Sequence, residues 1–234
     1  MMLYAYINAP IRGRRFVVAD IHGCSQTFKH LVEHKIHLQT NDQLFLLGDY
    51  INRGPDSIGV LDYILELQDS DYQVFPLRGN HEQMLLESKS HQNPLEIFLP
   101  STGTIALRKL NKQLEEKHWK FFENLPYFYA LDKFYLVHGG FNFKIENPLN
   151  DYHAMLWIRE MKPNIHWLAG KSVIYGHTRT ALTQIRASTA LRRPLIPLDN
   201  GCYTGVNQTD FTRFGNLCAL NLDTLELLVQ ANVD

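Results

Sequence analysis

The chain has 234 residues, 45% of them hydrophobic and 20% charged, with a formal net charge of -1. That length is enough to bury about 70–75% of the unfolded surface around a proper core. So even a charge balance excludes a polybasic nucleic-acid or membrane-surface binder and a solvating acidic chain. Cys24, Cys202 and Cys218 form no CxxC pair and read as free thiols of a reducing compartment. No apolar run approaches about 18 residues, and the first charges follow a short apolar stretch instead of preceding it. The expectation is a cytoplasmic protein.

In chain order, Arg12, Arg14 and Arg15 form a small basic run, expected on a solvated face, that leads into a predicted strand over Arg15–Ala19. Apolar residues at Phe28, Leu31, Val32 and then Lys35 predict a helix with Ser25 as N-cap. A strand over Gln43–Leu47 precedes a second helix through Ile58, Leu61, Ile64 and Leu65, with Asp56 as N-cap. After a strand at Gln73–Leu77 comes the polar segment Ser88–Lys120, with helical spacing across Thr104–Phe122, which reads as a flap beside the site. The aromatic run from Trp119 to Tyr129 reads as core. Strands follow at Phe134–Val137, Ser172–Tyr175, Leu195–Leu198 and Leu217–Leu222. Strands alternating with amphipathic stretches imply a layered α/β fold, and the absence of repeats or linkers predicts a single domain over 1–234.

Unusual polar residues fall just after the predicted strands, where α/β sheets present ligands. FVVADIHG supplies Asp20 and His22, FLLGD supplies Asp49, and PLRGNHE supplies Asn80 and His81. YLVHGG supplies His138 and VIYGHT supplies His177. Glycines bracket these clusters, as tight turns presenting side chains require. Two carboxylates, an amide oxygen and three imidazoles form a donor set suited to manganese, with iron or zinc as alternatives. Six ligands are too many for one catalytic ion with open positions. They suit two divalent ions sharing a carboxylate, for which Asp49 is the natural bridge. Such a pair, about 3.5–4 Å apart, can activate a water and neutralise phosphoryl oxygens. Arg53 and Arg159 are the candidate phosphate-gripping guanidinium groups. The histidines at His30, His34, His37, His91, His118, His153 and His166 lack such turns and are expected on surfaces. Asp199 and Tyr203 near the closing turn are candidates to line the cleft, which their spacing alone does not show.

DIHG at 20–23, GDYINRG at 48–54, GNHE at 79–82, HGG at 138–140, LWIR at 156–159 and GHT at 176–178, with LDNGC at 198–202, carry a resemblance. Six motifs in order resemble the serine/threonine protein phosphatases, and more narrowly their compact bacterial and phage members among the calcineurin-like metallophosphoesterases. The resemblance implies a β-sandwich of two mixed sheets flanked by helices, with a dimetal site at the strand ends. It implies one ion on Asp20, His22 and Asp49, and another on Asp49, Asn80, His138 and His177. Arg53 and Arg159, helped by Asn80, would hold phosphate, and His81 would protonate the leaving group. The implied activity is phosphomonoester hydrolysis, on phosphoserine or phosphothreonine in proteins or on small phosphoesters, by direct attack of a dimetal-bound hydroxide.

Asn52 departs from that pattern, since the protein phosphatases carry an aspartate there that bonds the acid histidine. An asparagine carbonyl is expected to accept the His81 Nδ1–H bond without adding charge, leaving His81 less protonated near neutrality. The symmetrical dinucleoside tetraphosphatases of the same superfamily also lack that aspartate, and a departing phosphate needs less protonation than an alkoxide. They typically carry alanine there, and aspartate where this chain has Glu82. Nucleotide pyrophosphatase is therefore the alternative activity, and a phospho-partner-binding pseudophosphatase the third.

Overall fold

The structure, a computed structural model, describes residues 3–10, 12–90, 109–207 and 214–234. The strands β2 (Arg15–Val18), β3 (Gln43–Leu46) and β4 (Gln73–Pro76) run parallel. Adding antiparallel β9 (Asn216–Asn221) and β10 (Leu227–Ala231) gives a mixed sheet in the order β10-β9-β2-β3-β4. The second sheet, β1-β5-β6-β7-β8, joins β1 (Tyr4–Tyr6), β5 (Phe128–Ala130), β6 (Phe134–Val137), β7 (Ser172–Tyr175) and β8 (Leu195–Pro197). In it β6, β7 and β8 are parallel and β5 is antiparallel to β6.

Both faces of each sheet are covered, which is why the central strands are apolar without a break. Phe16, Val18, Leu44 and Leu46 pack on Phe28 of α1 (Ser25–His30) and on Val60, Leu61 and Ile64 of α2 (Ser57–Asp69). The alternate residues Val17, Ala19, Phe45 and Leu47 point the other way and meet Tyr129, Leu136, Ile174 and Ile196 of the second sheet. Phe128, Val137 and Val173 on that sheet's outer face pack on Met155, Leu156 and Leu168. Each fully buried Leu or Phe contributes about 1.5–3 kcal/mol. The result is the expected α/β sandwich of two mixed sheets flanked by helices.

Some local expectations change. Asp56 caps α2, its carboxylate accepting from the Gly59 amide. Ser25, in contrast, is the first residue of α1 and Cys24 its cap, because the Ser25 hydroxyl donates to Asp56 Oδ2 at 2.7 Å. The basic run is not simply solvated: Arg15 is buried between Asp132 and Asp223, at 2.7 Å from each, while Arg14 pairs with Asp42. His118 is buried too, bonded to Asp62 and to the Glu115 amide. Residues 91–108, and with them His91 and most of the 88–120 segment read as a flap, lie outside the described residues. The three cysteines are buried free thiols. Among the described residues no helix is long and apolar enough to cross a membrane.

The turns after β3 and β4 touch backbone to backbone. Gly48 has φ +98°, and a Cβ on it would lie 2.5 Å from the Gly79 nitrogen. Gly48→Ala is therefore expected to cost about 3 kcal/mol or more, from strain and overpacking together. Gly170, at φ +86° with nothing within 4 Å of a Cβ, is the control. Gly170→Ala should cost only the left-handed strain, about 1 kcal/mol. Equal thermal unfolding midpoints for the two variants would contradict this packing.

Candidate functional site

The carboxyl ends of β2, β3, β4, β6 and β7 converge, and with them Asp20, His22, Asp49, Asn80, His81, His138 and His177. All are buried except the partly exposed His177. The backbone is bent hard to achieve this. Of ten non-glycine residues with positive φ among those described, five are His22 (+49°), Asp49 (+53°), Asn52 (+70°), Arg53 (+73°) and His177 (+62°). Conformations of this kind cost about 1–3 kcal/mol each and persist where the surroundings enforce them, so their concentration here marks a site.

Asp49 divides its two oxygens between two groups of ligand-type atoms. Oδ2 lies 3.4 Å from His22 Nε2 and 3.8 Å from His81 Nε2. Oδ1 lies 3.5 Å from His138 Nε2 and accepts the His81 backbone N–H at 3.0 Å. His22, Asp49 and His81 form one group with ligand atoms within 4.8 Å of one another, and Asp49, His138 and His177 form a second. Asn80 Oδ1 joins the second, 2.9 Å from His138 Nε2 and 3.0 Å from His177 Nδ1. Asp20, expected beside His22, stands at the wall of the cluster, where its carboxylate accepts the His177 backbone N–H at 2.9 Å.

Each element of this set is poised for a cation. His22 Nδ1 bonds the Ile51 carbonyl and His138 Nδ1 the Leu47 carbonyl, which fixes the ring tautomers and turns the other nitrogens inward. His177 Nε2 is buried with no hydrogen-bond partner. Burial holds the imidazoles neutral: His138 is lowered to about 3, and His177, with help from the charges of His138 and Arg159, to about 2. Burial also pushes Asp49 up to about 7, and raises Asp20 with further pressure from Asp199 and Asp49. Neutral imidazoles crowded with buried carboxylates form a donor set that fits divalent ions well.

Arg53 and Arg159 are both exposed, and both charges act on Asp49 and His177. The positive charge of Arg53 lowers His22, His81 and His177, and that of Arg159 lowers His138 and His177. Arg53 Nη1 donates to the Tyr203 hydroxyl, and its guanidinium lies 4.5 Å over the Tyr203 ring, which in turn packs edge-on against His22.

The expected bond from His81 to the Asn52 carbonyl is reversed. At φ +70° the Asn52 side chain curls back so that Oδ1 accepts the Arg53 backbone N–H at 2.8 Å, which leaves Nδ2 to face His81 Nδ1 at 3.2 Å. The amide therefore donates to Nδ1 and places the ring proton on Nε2. Glu82 has a role that was not foreseen. Fully buried, it accepts the backbone N–H groups of Asp49, Tyr50 and Gly79 at 2.9–3.0 Å, lacing together the two ligand-bearing turns. Its spacing from Gly79 is that of a capping box, a signal present in the sequence.

Residues 13–186 match the calcineurin-like phosphoesterase family. The chain belongs to the calcineurin-like phosphoesterases. Members of this family use a dimetal site, and the chain is accordingly a metallophosphoesterase. Among curated relatives, a symmetrical bis(5'-nucleosyl)-tetraphosphatase from Nitrosospira multiformis is 42% identical over 71 residues, 30% of this chain and 25% of that protein. One from Nitrosomonas europaea is 30% identical over 139 residues, 56% of this chain and 47% of that one. The matches thus span less than half the length of these relatives. A crystal structure of a candidate diadenosine tetraphosphatase superposes with TM-score 0.67 at 20% identity, covering 96% of both chains. A Saccharomyces cerevisiae protein serine/threonine phosphatase gives TM-score 0.64 at 15% identity, covering all of this chain and 84% of that one. Both likenesses establish the calcineurin-like fold.

Glu82→Gln leaves two backbone N–H groups competing for a single carbonyl and sets an amide donor against a third. Expected are a loss of about 1–3 kcal/mol in chemical denaturation and about 10–100-fold weaker binding of divalent ions. Unchanged denaturation and unchanged metal affinity would contradict the lacing role.

Proposed function

We propose that this calcineurin-like phosphoesterase hydrolyses a phosphoanhydride, and that its substrate is of the dinucleoside tetraphosphate class. The observation that carries the reading is the Asn52–His81 contact. With Asn52 Nδ2 donating to Nδ1, His81 has behind it neither a negative charge nor an acceptor. Burial, together with the charges of His22 and Arg53, holds its pKa well below the ordinary histidine range. A neutral imidazole bearing its proton on Nε2 is a weak acid. It can orient and hydrogen-bond a leaving oxygen, and a departing phosphate needs little more, whereas a serine alkoxide needs a full proton. The names of the relatives support the same choice.

In this reading Asp20, His22 and Asp49 would hold one divalent ion, and Asp49, Asn80, His138 and His177 would hold the other. When bound, the ions supply an acidified water and neutralise phosphoryl oxygens. Arg53 and Arg159 grip the phosphoryl group that reacts, and the Asn80 amide helps position it. His81 directs Nε2–H at the leaving oxygen, and Asn52 holds the ring in that tautomer.

A second reading, phosphoserine or phosphothreonine hydrolysis, draws support from the glutamate of GNHE, which favours the protein phosphatases over the tetraphosphatases. The complete donor set weighs against a binding-only pseudophosphatase.

The test compares a dinucleoside tetraphosphate, an aryl phosphate and a phosphoserine peptide, with manganese added, for the unaltered chain and for Asn52→Asp. The unaltered chain should prefer the tetraphosphate. Asn52→Asp should raise turnover of the peptide about 10–100-fold, part of the usual general-acid contribution, and change the tetraphosphate far less. A peptide preference in the unaltered chain would favour the second reading, and inactivity of both proteins on every substrate the third.

A further inference from the structure

Arg179 follows His177 and Thr178 at the rim of the cluster, where its exposed side chain runs along the turn that closes the site. Gly201, at φ +69°, lies so close to it that a Cβ there would fall 2.5 Å from Arg179 Cδ. The guanidinium lies 4.7 Å over the ring of Phe214, and its charge acts on Asp199 without forming a salt bridge among the described residues. Two residues beyond Gly201, the same turn carries Tyr203, which holds Arg53 by hydroxyl and ring. The turn itself is fixed by Asp199, whose Oδ1 accepts the Gly201 N–H at 2.6 Å and whose backbone oxygen accepts from Thr180.

The five residues 199–203 therefore seat two arginines in a defined relation. The charge of Arg53 bears on Asp20, His22, Asp49, His81 and Asp199, whereas that of Arg179 bears on Asp199, in the turn along which its side chain lies. Arg53 thus belongs to the reacting centre and Arg179 to its border. A phosphomonoester presents one phosphoryl group, which Arg53 and Arg159 can serve. A polyphosphate chain continues past that point and carries anionic charge that calls for a further cation. A guanidinium already laid on an aromatic face and a glycine loses little freedom on binding, and its planar fork matches phosphate oxygens.

We propose that Arg179 is a specificity-determining residue that binds a non-reacting phosphate of a polyphosphate substrate, with the 199–203 turn setting its distance from Arg53. This rests on the dinucleoside polyphosphate reading above and adds to it the residue that separates such a chain from a monoester. Nothing else is required of Arg179: it reaches no reacting atom and moves no proton.

Steady-state kinetics of the metal-loaded chain with diadenosine tetraphosphate and with p-nitrophenyl phosphate test the assignment in the unaltered protein, Arg179→Gln and Arg179→Lys. The ratio of kcat/KM for the tetraphosphate over that for the aryl phosphate should fall about 10–100-fold in Arg179→Gln, mainly through KM, as expected when one charged hydrogen-bonding group is lost. Arg179→Lys should recover part of the ratio. Calorimetry should show inorganic tripolyphosphate binding weakened by a similar factor, and orthophosphate much less. If the unaltered chain cleaves both substrates and the ratio does not move, the Arg179 assignment is overturned while the proposed function stands. If the unaltered chain cleaves the aryl phosphate and not the tetraphosphate, the proposed function is overturned and this assignment with it.

Discussion

One buried carboxylate organises this molecule. Asp49 is 2% exposed, is held at φ +53° just past the end of β3, and turns one oxygen to His22 and the other to His138. An ionised carboxylate so placed is costly unless positive charge or donors surround it. The His81 N–H supplies one donor, Glu82 anchors the Asp49 backbone from behind, and the histidines ring the remainder. The neighbouring strain in His22, Asn52, Arg53 and His177 follows from bringing those donors to a single point.

The two sheets share that arrangement. Asp20, Asp49 and Asn80 extend from the first, His138 and His177 from the second, and bonds such as His138 Nδ1 to the Leu47 carbonyl and His177 N–H to Asp20 cross between them. The Val17, Phe45, Leu136 and Ile174 layer provides the cohesion, and the polar cluster fixes how the strand ends meet. Core packing and site geometry are consequently not separable here. A shift of one strand by a residue would turn Phe45 and Leu47 away from the opposite sheet and misplace Asp49 as well.

The longer elements were legible because their patterns are carried by many residues. The seven expected strands are present, with ends shifted by one residue at most, and the ligand types stand at their carboxyl ends. The strands β1, β5 and β10 were not read from the sequence. The first two are three residues long, and β5 lies within an aromatic run whose burial, rather than its extended form, is what the composition displays. Features that depend on a distant partner were likewise hidden. Arg15 looks like part of a solvated basic run until Asp132 and Asp223, far along the chain, fold over it, and His118 is buried because Asp62 reaches it. The orientation of the Asn52 amide follows from a left-handed backbone conformation that neither residue type nor spacing reveals. Glu82, by contrast, carried a readable capping signal, and its weight lies in the two turns it joins.

The dependence on Asp49 is most directly tested by the metal content of the purified chain after dialysis against manganese, measured by atomic emission for the unaltered protein, Asp49→Asn and His177→Ala. Two ions per chain are expected in the unaltered protein, about one in His177→Ala, and almost none in Asp49→Asn, because both ions lose their shared ligand. Two ions retained in Asp49→Asn, or no more than one in the unaltered chain, would contradict the shared-carboxylate account.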